Sequence, residues 1–132
     1  MRRLHPGRLT DLDIDADLMP TDRILQRWAR SVGCGLPEEA WDGTPQSRPP
    51  ELPPDAAIWV DRYLCRSHER MRKFLHSWYR GQDASAVIAK RFNVGRDAVY
   101  QLWRDYLAVC REAFIAEPCV EHLMHVSLRE AA

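Results

Sequence analysis

The sequence has few of the residues that mark a metal centre, a disulfide framework or a membrane span. Its four cysteines are separated by 31, 45 and 9 residues, and none forms the close C-x-x-C pair of a zinc knuckle. Cys119, His122 and His125 have helical spacing, but three ligands leave a structural zinc site incomplete, and an ordinary packing face has the same spacing. No apolar run approaches the ~20 residues of a membrane span. We therefore expect a protein with no metal, no cofactor and no membrane segment.

Catalytic motifs are missing as well. The sequence contains no glycine-rich phosphate loop, no nucleophile elbow and no paired carboxylates outside the aspartates near its N-terminus. Its start also lacks the apolar stretch of a signal peptide. These absences predict a protein that is not an enzyme and that works in the cytoplasm.

The formal net charge is zero, but the charges are unevenly distributed along the chain. Residues 62–111 contain eleven basic and four acidic residues, a net charge of +7, so the rest of the chain carries −7. Much of the negative charge lies in the alternating aspartates of residues 11–17. The basic segment favours a polyanion as partner, and an ordinary solvated helix face is the alternative.

Apolar residues recur at helical spacing along most of the chain, and no convincing strand pattern is present. We predict an all-α fold in which a small helical domain (21–117) is preceded by an acidic mobile arm (1–20) and followed by a C-terminal tail (118–132). The core is predicted to contain five aromatic side chains, which are Trp28, Phe74, Trp78, Phe92 and Trp103.

Residues with capping and helix-ending chemistry predict where the first helices lie. Thr21 and Asp22 are predicted to cap the first helix, and Gly33 to end it. Asp55 is predicted to cap the second helix. The pattern around Ser67 fits either one bent helix or two separate helices.

The segment 34–54 contains six prolines and two glycines. Proline removes a backbone donor and disfavours helix at the preceding residue, so we predict a long proline-rich loop here, which Trp41 could pin to the core. A connection of this length is usually functional or disordered, and a structural spacer is the alternative.

The segment 85–104 has the residue pattern of a helix-turn-helix. Ala89 takes the fifth position, where two helices approach too closely for a larger side chain. The positions predicted to be buried hold Ile88, Phe92, Val94, Val99 and Leu102. Asn93 takes the turn position that needs a positive φ, a conformation that asparagine tolerates well. The second helix is predicted to run from about Arg96 to Glu117, where Pro118 stops it.

Only the N-terminal turns of a recognition helix reach base edges in the major groove. The predicted base-contacting residues are Arg96, Asp97, Tyr100, Gln101 and Arg104. The predicted phosphate-contacting residues, which would position the protein without reading sequence, are Arg72, Lys73, Arg80, Ser85, Lys90 and Arg91. The predicted partner is double-stranded DNA, and a helical hairpin with a basic exposed side is the alternative.

Several short motifs occur in a defined order along the chain. They are Ile24-Leu25-Gln26-Arg27-Trp28-Ala29-Arg30, Ser47-Arg48, the helix start from Ile58 to Leu64, and Tyr79-Arg80-Gly81 ahead of Ile88-Ala89. Over about residues 22–117, the chain resembles the phage Q antitermination proteins. The branch resembled has a helix-turn-helix similar to the promoter −35 reader of sigma factors and lacks the zinc finger, since the cysteine spacing is wrong for one.

The resemblance implies a phage late-gene transcription antitermination factor in the cytoplasm of a bacterial host. Such a factor binds DNA near the late promoter, loads onto a paused RNA polymerase with or without its sigma factor, and promotes terminator readthrough. Nascent RNA would be a further partner. The same residues also fit an operator-bound helix-turn-helix repressor or activator, and a helical protein-interaction module without a DNA role.

Overall fold

The computed structural model describes residues 16–31 and 51–131, and no strand occurs in these ranges. The predicted all-α fold is confirmed. The helices are α1 (Met19–Ser31), α2 (Pro54–Arg66), α3 (Glu69–Leu75), α4 (Ser85–Phe92), α5 (Arg96–Ile115) and α6 (Pro118–Ala131). A 3₁₀ turn, Ala16–Leu18, precedes α1, and a π-helical turn, His76–Arg80, continues α3. None of the described helices is long and apolar enough to cross a membrane.

Helix α1 begins earlier than the sequence predicts. Thr21 and Asp22 lie inside the helix and are buried, so neither is its cap. The helix starts one residue before Pro20, because proline is tolerated in the first turn, where its missing N–H is not needed. Residues 16–20 of the predicted mobile arm therefore belong to the folded body, and residues 1–15 lie outside the described residues.

The predicted proline-rich loop lies mostly outside the described residues, which omit 32–50 and with them Gly33 and Trp41. The chain that follows is held against the end of α1. Leu52 is buried, and its N–H donates to the Ser31 hydroxyl. Leu52 therefore lies beside the C-terminal end of α1, two residues before α2 begins.

Helices α2 and α3 are separate rather than one bent helix. Pro54 takes the first position of α2, so Asp55 lies in the first turn and is not the cap. Ser67 ends α2 in an extended conformation, with φ −77° and ψ 168°. His68 then caps α3, since its Nδ1 accepts a hydrogen bond from the Arg70 backbone N–H at 3.2 Å.

The predicted aromatic core is confirmed, because all five predicted side chains are at most 7% exposed. Trp78 lies between two other rings. It stacks on Trp103 with ring centroids 4.6 Å apart and on Phe74 at 5.7 Å. Tyr106 packs edge-on against Phe74 at 5.2 Å. These rings join α3, the π-helical turn and α5 into one core.

The predicted C-terminal tail is instead a helix that packs on the domain. Helix α5 ends at Ile115, before the predicted Glu117, and α6 begins at Pro118. Proline pre-organises the first turn of a helix, so a residue that ends one helix can also start the next. Val120 and Met124 are buried, and α6 contacts α1 and α5.

Candidate nucleic-acid interface

A three-residue turn joins α4 to α5. Asn93 adopts the left-handed conformation, with φ 57° and ψ 50°, as its place in the sequence pattern predicts. Its N–H donates to the Lys90 carbonyl at 3.3 Å, and the Val94 N–H donates to the Ala89 carbonyl at 3.0 Å. This is a Schellman motif, which satisfies carbonyls that the end of α4 would otherwise leave unpaired. Gly95, in an extended conformation, is the cap of α5.

Helices α4 and α5 pack through the positions that the sequence pattern predicts as buried. Ile88 and Val99 have no exposed surface, and Phe92 is 7% exposed. Val94 and Leu102 are half-buried and pack against the core. The first turns of α5 are therefore held in a fixed orientation relative to α4.

Three of the five predicted base-contacting residues are exposed at the start of α5. These are Arg96, Asp97 and Gln101. Arg96 makes no hydrogen bond or ion pair with any residue that the structure describes. Gln101 Nε2 donates to Asp105 Oδ1 at 2.9 Å, a bond on the surface of the helix. The Arg96 guanidinium on this turn is thus accessible and is not bonded to any described residue.

The other two predicted base-contacting residues, Tyr100 and Arg104, are half-buried. The Tyr100 hydroxyl donates to Ser85 Oγ at 3.2 Å, and its ring packs edge-on against Trp78. Arg104 already has an interaction partner within the protein. The Ser85 side chain, predicted to contact a phosphate, is instead fully buried where α4 meets α5.

The remaining predicted phosphate-contacting residues are spread over more than one surface. Lys90 is exposed on α4 and has no ion pair with the described residues. Arg91 forms an ion pair with Asp83 at 2.8 Å. Arg80 lies over the Trp28 ring, with its Cζ 5.4 Å from the centroid, and therefore faces α1 rather than α4.

A basic groove of about 840 Å³ lies between α3 and the C-terminal end of α4. It is lined by His68, Glu69, Arg70, Arg72, Lys73, His76, Ser77, Arg91, Phe92 and Asn93. It brings together three of the predicted phosphate-contacting residues, Arg72, Lys73 and Arg91. Arg70 lines the groove as well, and its bond to the Phe92 carbonyl spans 22 residues and leaves no local sequence signal.

His76 is the half-buried histidine of this groove. Burial lowers its pKa below the ordinary value of 6.5, and the nearby guanidinium groups of Arg80 and Arg72 lower it further. The imidazole is therefore neutral at pH 7. The groove then carries its positive charge on arginine and lysine.

Cys119, His122 and His125 do not form a metal-binding group. His125 Nε2 contacts the Glu121 carboxylate on the same helix. Within residues 16–31 and 51–131, no three His, Cys, Asp or Glu side chains lie close enough together to hold a metal ion.

Comparison with known proteins identifies no relative. No family model, no curated protein and no solved structure matches the chain. Its resemblance to the phage Q proteins therefore rests on the sequence motifs alone.

Proposed function

We propose that the protein binds double-stranded DNA through α4, the Asn93 turn and α5, acting as a helix-turn-helix. One observation carries the proposal. Arg96 is exposed, and pairs with no residue that the structure describes, on the first turn of a helix that α4 holds in a fixed orientation.

The chemistry of this surface suits a duplex. The major groove admits an α-helix, and arginine forms a bidentate pair with guanine O6 and N7. Gln101, one turn further along α5, has an amide that can pair with adenine once it leaves Asp105. Lys90 on α4 can contact a phosphate, which would fix the position of the protein without reading sequence.

We further propose that DNA binding serves transcription antitermination. The support is the order of motifs shared with the phage Q proteins between residues 22 and 117. In this proposal the protein binds near a late promoter, loads onto a paused bacterial RNA polymerase and travels with it past terminators. RNA polymerase, with or without sigma factor, and nascent RNA are then its partners.

A DNA-binding titration tests the first proposal. Arg96→Ala should weaken binding to late-promoter DNA by about 1 to 3 kcal/mol, the usual value of a specific base contact. Lys90→Ala should weaken binding to all duplexes alike and reduce the salt slope by about one unit. Arg62→Ala is the matched control, since Arg62 is an exposed arginine on α2. Binding that does not depend on salt, or equal effects of Arg96→Ala and Arg62→Ala, would contradict the proposal.

In vitro transcription past an intrinsic terminator tests the second proposal. The template carries the late promoter, and readthrough is measured with native protein and with Arg96→Ala. Native protein should increase readthrough, and the variant should do so only at higher concentration because its loading is weaker. Specific DNA binding without readthrough would instead favour an operator-bound repressor or activator.

A further inference from the structure

The basic groove between α3 and α4 has two arginines that are fixed in place before any ligand arrives. Arg70 donates to the Phe92 carbonyl at 3.1 Å, and its guanidinium lies over the Phe92 ring at 5.7 Å. Arg91 donates to the Ser77 hydroxyl at 2.7 Å and to Asp83 at 2.8 Å. A guanidinium has five N–H donors, so each arginine keeps donors for a ligand.

The balance of charge in the groove is positive. Its lining residues include four cations, Arg70, Arg72, Lys73 and Arg91, and one carboxylate, Glu69. A carbonyl and a phenyl ring hold Arg70 without neutralising it. Glu69 pairs with Lys73 at 3.0 Å, but both side chains are more than half exposed, so this bond is weak and easily exchanged.

Arg72 is a cation of the groove that forms no close ion pair with the described residues. It is half-buried and makes no hydrogen bond with them either. His68 adds a donor at Nε2, because its Nδ1 accepts the Arg70 N–H. The groove thus offers guanidinium and imidazole N–H groups to one acceptor-rich anion.

Two features favour a polyanion over a small anion. The groove is open, and its cations are distributed along α3 and the end of α4 instead of converging on one point. Asn93 lines the groove and also begins the turn into α5, so the groove reaches the turn that leads to Arg96.

We propose that this groove is a phosphate clamp for the backbone of the same DNA duplex that α5 contacts, with Arg70 and Arg72 as its direct ligands. This inference rests on the proposed DNA-binding function. It predicts that the footprint extends beyond the two helices of the helix-turn-helix, with α3 lying along a backbone strand.

Arg72→Gln is the test variant, since it removes an arginine that makes no hydrogen bond or ion pair with the described residues. We expect weaker binding to late-promoter and scrambled duplexes alike, with a salt slope lower by about one unit. The ratio of the native affinity to the variant affinity should then fall about three- to fourfold between 50 and 200 mM salt. Arg62→Gln, which removes one charge from α2, is the control for general charge loss. Arg70→Gln should act in the same direction, and circular dichroism checks that its loss of the Phe92 bond leaves the fold intact.

The outcomes separate this inference from the proposal on which it rests. If Arg96→Ala weakens binding and Arg72→Gln behaves as Arg62→Gln does, α5 binds DNA and the clamp is wrong. If Arg72→Gln flattens the salt slope and Arg96→Ala has no effect, the groove binds a DNA backbone, but the role of α5 and the shared duplex are wrong. If native protein binds no duplex, both fail. If it prefers single-stranded RNA of the same length, and Arg72→Gln weakens only that binding, the groove is an RNA site and the clamp is wrong.

Discussion

Tyr79 connects three helical segments through one buried hydroxyl. Its O–H donates to Asp22 Oδ1 at 2.6 Å, and the Trp103 Nε1–H donates to the Tyr79 oxygen at 3.0 Å. Gln26 Nε2 donates to the second carboxylate oxygen of Asp22 at 2.8 Å. The network explains why a charged residue that resembles a helix cap is 4% exposed in the core.

Removing that hydroxyl should be costly. Tyr79→Phe removes one donor to the buried Asp22 carboxylate and the acceptor of the Trp103 N–H, so we expect a loss of about 2 to 4 kcal/mol in the free energy of unfolding. Urea denaturation followed by circular dichroism measures it. The control is Tyr106→Phe, because the Tyr106 hydroxyl has no hydrogen bond with the described residues. Equal stability of the two variants would show that the network contributes nothing.

His76 should make stability depend on pH. Its pKa in the folded protein is lowered, so the unfolded chain binds more protons when the pH lies near or below 6.5. Stability is therefore highest above pH 6.5, decreases as the pH falls, and levels off below the folded-state pKa. We expect the unfolding free energy of His76→Asn to decrease less than that of native protein between pH 8 and pH 5. The measurement is the unfolding free energy of both proteins across this range. His122→Asn, at an exposed site, should keep the native profile.

Local sequence pattern predicts single residues well where the cause is local. Asn93 takes a positive φ because the turn after α4 requires it. The local pattern does not predict burial that depends on a partner far away in the sequence. Asp22 is buried because it accepts a hydrogen bond from Tyr79, which is 57 residues further along the chain. Ser85 is buried where it accepts a hydrogen bond from Tyr100, on the next helix.

Helix α6 shows the same limit for a whole element. Pro118 is predicted to stop the preceding helix and leave a tail, yet α6 packs on α1 and buries Val120 and Met124. Helical periodicity is present in the sequence, but the apolar face of α1 that receives α6 is nearly a hundred residues earlier. Periodicity predicts a helix without showing what covers it.

If α6 is part of the core, trimming its buried face should destabilise the domain. Met124→Ala is expected to cost about 2 to 5 kcal/mol, because it leaves a cavity between α6 and its neighbours. The matched control on the exposed side of the same helix is His122→Ala, which should change stability by no more than about 0.5 kcal/mol. Thermal denaturation measures both. If Met124→Ala has the same melting temperature as native protein, α6 is not part of the core.

Helix α5 organises the whole molecule. It contacts α1, α3, α4 and α6, and it presents Arg96 at its N-terminal end while its middle lies in the core. The predicted DNA surface and the hydrophobic core are therefore faces of one rigid helix. The +7 charge of residues 62–111 is divided between this surface, the basic groove and the outer face of α2, so chain position alone does not locate the site.

Cys110, in the middle of α5, should report the unfolding of the entire domain. It is fully buried, and burial raises the pKa of its thiol to about 12, so the native protein presents almost no thiolate. Because four other helices pack on α5, exposing this sulfur requires most of the core to open. The test uses a variant that retains only Cys110 and a thiol reagent at pH 8. We expect the free energy of exposing Cys110, obtained from the modification rate, to fall with urea as steeply as that of global unfolding, about 1 to 3 kcal/mol per molar.

The matched variant retains only Cys65, which is exposed on α2 and should react at once without urea. Both variants carry serine at the other cysteine positions, and circular dichroism gives their global unfolding curves for comparison. A shallow urea dependence at Cys110 would mean that α5 opens locally. The orientation of Arg96 would then not be fixed by the core, and the DNA-binding surface would have to be assembled on contact with its partner.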